Sequence, residues 1–195
     1  MKMKERRTFE TTELRVARED KKTRIVGHAA VFNVLGDGGW FREKIAPGAF
    51  MDSIQADDVR ALFNHDANHV LGRNRAGTLR MKEDERGLSI EIDPPDTQVA
   101  RDLIVSLERG DISQMSFGFQ TISDMWERDP DGKELDVRTL VKVQLWDVSP
   151  VTFPFYKETD VAVRSHEAWK KTLNEPEPTW NRIPNMRRRL KSNQT

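Results

Sequence analysis

Apolar and polar residues alternate with period two in several short runs of this chain, and only a few stretches carry helical spacing. Residues 78–81 (Thr-Leu-Arg-Met) and 88–92 (Leu-Ser-Ile-Glu-Ile) alternate, and the polar link Glu83-Asp84-Glu85-Arg86-Gly87 between them predicts a hairpin. Residues 23–34 are rich in β-branched and small apolar side chains and predict a strand, ended by a loop at Gly36-Asp37-Gly38-Gly39. Further strands are expected over 59–65, 113–122 and 139–149, with a turn at Asp129-Pro130-Asp131-Gly132-Lys133 between the last two. The clearest helix covers 97–109, where Val99, Ala100, Leu103, Ile104 and Leu107 form one stripe and Gly110 stands ready to end it. A short helix is expected over 47–54, with Pro47 near its first turn. Many short strands with few helices predict a mainly β domain of the α+β class, a barrel or a sandwich.

The pattern changes after Tyr156. Residues 167–174 could form a helix, which Glu175-Pro176-Glu177-Pro178 would stop, and Arg187-Arg188-Arg189-Leu190-Lys191 closes the chain with a basic run. The expected organisation is one domain over 1–164, its core starting near residue 8, and a peripheral tail over 165–195. No internal repeat is visible.

Composition narrows the chemistry. The 195 residues carry a formal net charge of +0, which argues against general electrostatic capture of nucleic acid. The chain has no cysteine, so disulfides, thiolate catalysis and zinc–thiolate sites are excluded. Its basic start, Met1-Lys2-Met3-Lys4-Glu5-Arg6-Arg7, lacks the apolar stretch of a secretion signal, and no run is long enough to span a membrane. A soluble, intracellular protein is expected.

Three segments each put one catalytic-type side chain at or near the end of an apolar run. They are Leu62-Phe63-Asn64-His65-Asp66, Met115-Ser116-Phe117-Gly118-Phe119 and Leu145-Trp146-Asp147-Val148-Ser149. A hydroxyl, an imidazole and a carboxylate are the minimal set for activating a serine nucleophile. Alternation puts Asp147 on the face of Val141, Val143 and Leu145, where a carboxylate needs a donor partner. The plainer alternative is an acid beyond the core edge that bonds a loop. His65 shares a face with Val59, Ala61 and Phe63, and is either a general base or a satisfied core histidine. Ser116 faces away from Met115, Phe117 and Phe119. Gly118 beside it would let a substrate backbone approach, although most such serines simply face solvent. His65 and His69 also invite a metal reading, but the segment looks like a strand and no third ligand is evident. His28 and His166 show no recognisable partners.

With these residues in view, the chain resembles the prohead (capsid maturation) proteases of tailed bacteriophages, whose fold is similar to that of the herpesvirus assemblins. The resemblance is collinear over residues 25–164. It runs through Gly27-His28-Ala29-Ala30-Val31-Phe32-Asn33, Pro47-Gly48-Ala49-Phe50, the His65 segment, Leu71-Gly72-Arg73, Arg109-Gly110-Asp111-Ile112, the Ser116 segment and Asp147-Val148-Ser149-Pro150-Val151-Thr152-Phe153-Pro154. It implies a herpesvirus-protease-like β-barrel flanked by helices, with His65 as general base, Ser116 as nucleophile and Asp147 as the third member. Glutamate is more usual at that third position, and the shorter side chain has a different reach.

The implied task is that of a serine endopeptidase without cofactor or metal. It would act inside the assembling procapsid in the host cytoplasm, cutting the scaffold region of the major capsid protein and then itself. The tail beyond Ser165 is then a candidate self-processing or docking segment. A homo-oligomer is allowed; a specific nucleic acid or a membrane is not expected as partner. Two alternatives stand beside this: a non-enzymatic procapsid scaffold or adaptor barrel, and a metal-dependent hydrolase using His65 and His69.

Overall fold

A computed structural model describes residues 5–10, 13–19, 22–37, 40–128, 135–153 and 160–174. The strands are β1 (Glu5–Glu10), β2 (Arg15–Glu19), β3 (Lys22–Val31), β4 (Gly36–Asp37), β5 (Arg42–Ile45), β6 (Arg60–Phe63), β7 (Asp66–Arg73), β8 (Leu79–Glu83), β9 (Gly87–Ile92), β10 (Gln114–Glu127) and β11 (Val137–Val151). Three α-helices, α1 (Met51–Ala56), α2 (Gln98–Arg109) and α3 (Asp160–Asn174), and a 3-10 turn at Asn74–Ala76 complete the described elements. The class is α+β and mainly β, as expected.

Among the described residues the expected barrel is not closed. The strands form a seven-stranded sheet, running β1-β10-β11-β5-β4 with β6 and β7 branching from β11, and a four-stranded sheet ordered β2-β3-β9-β8. The branch has a simple cause. β11 is long enough to take β5 in parallel at residues 137–140 and β6 in parallel at Asp147 and Val148. One continuous core draws on both sheets and on α2, with Phe50 edge-on to Phe117 at 5.4 Å and Phe117 against Phe119 at 4.8 Å.

The β8–β9 hairpin and α2 form where the periodicity put them. The side chain of Thr97 caps α2 by accepting from the Ala100 amide at 3.4 Å, and Gly110 ends it at φ 79°. Ala100, Leu103 and Leu107 are its buried stripe. α1 begins at Met51, later than expected, because residues 47–50 form a turn. Gly36 and Asp37, expected in a loop, pair with Glu43 and Arg42. The predicted turn at 129–133 and the chain beyond 174 lie outside the described residues.

α3 runs straight through the boundary expected at Ser165. A second apolar cluster of Phe41, Trp126 and Ala162 takes Trp40 and Trp169 against it. Ser165 Oγ accepts from Trp126 Nε1 at 2.8 Å and donates to Asp124. The two histidines expected to stand alone both have partners: His166 Nε2 lies 2.6 Å from Asp136, and His28 lies between Glu13 at 2.8 Å and Asp84 at 3.0 Å. Sequence spacing hides these pairs because the acids come from distant segments.

Candidate active site

β10 and β11 are antiparallel neighbours, with Ser116 opposite Ser149, Phe117 opposite Val148 and Gly118 opposite Asp147. One step further, Phe119 pairs with Leu145, so Trp146 is an extra residue on β11. This bulge overturns the expected facing of Asp147. Strict alternation would put Asp147 with Leu145 in the core, but one extra residue turns every following side chain to the other face. Val148 therefore packs in the core, while Asp147 and Ser149 join Ser116 on the opposite side.

His65 does not end a strand. β6 stops at Phe63, which pairs with Asp66, leaving Asn64 and His65 as a two-residue hairpin loop. Both have positive φ, 53° and 57°, as mirror-image hairpin turns demand. Few residues other than glycine adopt that conformation, although asparagine and histidine do so more often than most, and here the turn is held by its surroundings. Those surroundings are the end of β11. The Asn64 amide donates to Pro150 O at 3.0 Å, Asn64 Oδ1 accepts from the Thr152 amide at 2.8 Å, and Asn64 Nδ2 donates to Thr152 Oγ1 at 3.1 Å. The histidine-bearing turn is thus fastened to the strand that bears Asp147.

The three expected residues come together. His65 Nε2 is 2.7 Å from Ser116 Oγ, and His65 Nδ1 is 2.5 Å from Asp147 Oδ2. The shorter aspartate therefore reaches. An ionised carboxylate only accepts, so Nδ1 carries the ring proton and Nε2 is left to accept from the Ser116 hydroxyl. Ser116 is fully buried, and the His65 side chain is only 3% exposed.

Gly118 serves a different end from the expected one. A Cβ there would collide with Asp147 Oδ1, so the missing side chain makes room for the carboxylate rather than for a substrate. Gly118→Ala is expected to push Asp147 off the imidazole. A displacement of about 1 Å costs on the order of 100-fold in rate, which phosphonate labelling of Ser116 would measure.

Neither ring nitrogen of His65 is left for a metal, and His69 lies on β7, its Nδ1 3.5 Å from Asp66. Asn64 and Ser149 were legible only as polar neighbours of the key positions. Their roles depend on a turn and a pairing register that no local pattern announces.

An alcohol, an imidazole and a carboxylate linked in that order, on a mainly β scaffold, form the constellation that defines serine hydrolases. A model of the caudovirus prohead serine protease family matches residues 10–172, and the chain belongs to that family. It is 29% identical over 160 residues to the prohead protease of Enterobacteria phage HK97, an alignment covering 80% of this chain and 66% of that protein. The chain therefore spans just under two thirds of that relative's length. No solved structure matches the chain. Among the described residues, no helix is long and apolar enough to cross a membrane.

Proposed function

We propose that this protein is the serine endopeptidase of phage head maturation, cleaving the scaffold region of the major capsid protein, and then itself, inside the procapsid. Family membership supports the task. The observation that carries the reading is the unbroken hydrogen-bond path from Asp147 through His65 to Ser116.

Ser116 Oγ attacks the scissile carbonyl carbon as its proton passes to His65 Nε2. The tetrahedral intermediate collapses when His65 returns that proton to the leaving amine, and an ester to Ser116 remains. Water, deprotonated by the same nitrogen, then releases the acid and regenerates the hydroxyl. Asp147 keeps the proton on Nδ1 and stabilises the imidazolium formed in each half. Because Ser116 is buried, the site must open before a peptide reaches it.

Co-expression with the phage's own major capsid protein, followed by mass spectrometry, tests this. Wild type is expected to release defined scaffold fragments and Ser116→Ala none. Trimming that persists in the Ser116→Ala protein would refute the proposal. The scaffold or adaptor alternative predicts instead that neither protein yields fragments.

A further inference from the structure

Ser149 is fully buried and lies directly across the β10–β11 ladder from Ser116. It is nevertheless no second nucleophile, because the imidazole's free nitrogen faces Ser116. Its hydroxyl donates instead to Asp147 Oδ2 at 2.7 Å, the same oxygen that receives His65 Nδ1–H at 2.5 Å. The other carboxylate oxygen rests over Gly118, where a Cβ would collide with it.

Building on the proposed triad, we infer that Ser149 is a positioning residue, the fourth member of the hydrogen-bond path. Three observations converge on this. Asp147 and Ser149 stand two residues apart on one strand and so share a face, which the Trp146 bulge turns to the Ser116 side, and the hydroxyl reaches its own strand's carboxylate. A buried hydroxyl needs a partner, and this one spends its proton on a charged acceptor. An aspartate also has a free torsion about Cβ–Cγ, which a single bond to the imidazole would leave unsettled. Ser149 on one oxygen and the space over Gly118 for the other hold the carboxylate plane that meets Nδ1.

Removing the hydroxyl has two consequences of different kind. The carboxylate is freed to turn, and its negative charge, no longer shared with the Ser149 hydrogen bond, acts more strongly on the imidazolium. The first slows the nucleophile at every pH. The second holds the ring proton more tightly, so the acidic limb of the activity profile moves to higher pH.

The test uses the full-length protein as wild type, Ser149→Ala, Ser149→Thr and Ser116→Ala. One arm follows the downfield proton resonance of His65 Nδ1 by NMR, which needs no turnover. The resonance is expected to shift in Ser149→Ala and to return in Ser149→Thr. The other arm measures the rate at which a fluorophosphonate labels Ser116 as a function of pH. Loss of one hydrogen bond to a charged group is worth about tenfold, so Ser149→Ala is expected to label roughly tenfold more slowly at neutral pH. Its acidic limb should lie higher, and Ser149→Thr should recover both. An unmoved resonance together with an unchanged pH profile overturns the role given to Ser149. Failure of wild type to label at all would instead sink the catalytic reading, and the resonance arm would still decide the hydrogen bond.

Discussion

Asp147→Asn is expected to lower the rate of Ser116 acylation by about four orders of magnitude while leaving the fold intact. The side chains have the same size, so the space over Gly118 still accommodates the substitution. What changes is the direction of a proton. The amide can present its NH₂ to His65 Nδ1, and in the other orientation its neutral oxygen supplies no charge to stabilise the imidazolium. With NH₂ there, Nδ1 accepts, and the ring proton moves to Nε2, the nitrogen 2.7 Å from Ser116 Oγ. Two donors then face each other and the base is gone. Stopped-flow labelling with a fluorophosphonate would measure the loss, and a near-native thermal midpoint would show that the fold survives. A rate within tenfold of wild type would mean that Asp147 does not set the tautomer.

The second large effect concerns stability. Arg138 on β11 is fully buried and donates to Glu5 on β1 at 2.9 Å, Glu43 on β5 at 3.0 Å, Asp124 on β10 at 2.7 Å and Thr121 at 2.9 Å. Arg7 adds bonds to Glu43 at 2.5 Å and to Glu5 at 3.1 Å. This network joins the four strands β1, β10, β11 and β5. Exchanging a whole buried ion pair for apolar groups is often neutral, but deleting one partner leaves uncompensated charge, at a cost of about 3–5 kcal/mol. Arg138→Met is therefore expected to lose that much, read from urea unfolding at pH 7. Wild-type stability in this variant would refute the argument.

The pH dependence has a definite sign. Burial pushes the Glu5 carboxyl up, yet Arg138 and Arg7 outweigh burial and hold it below its ordinary value of 4.5. A carboxyl lowered on folding contributes stability above the unfolded value. That contribution is lost as pH falls below 4.5 through the folded value. Wild type should weaken in this acid range. In Arg138→Met a protonated Glu5 relieves the buried charge, so the gap between the two proteins narrows as pH falls.

The parts of the fold that were readable without coordinates are those governed by local rules. The β8–β9 hairpin follows from alternation around a polar link, and α2 from a stripe with Thr97 before it and Gly110 after it. The three key side chains were also visible, because an imidazole, an alcohol and an acid stand out against apolar runs. Their settings were read less well. His65 was expected on a strand, since nothing local announces that Asn64 and His65 turn back with positive φ. Asp147 was expected in the core, since a bulge is a property of a strand pair and not of one strand.

Residue types and their order along the chain determined the α+β class, the family and the candidate nucleophile, base and acid. These depend on side-chain chemistry and short-range periodicity, both present in the unfolded chain. Only the tertiary structure decided that Asp147 shares a face with Ser116, that Gly118 makes room for the carboxylate, and that Asn64 fastens the histidine turn to β11. Each is a contact between segments far apart in sequence, and it exists only once pairing across the sheet has set the register.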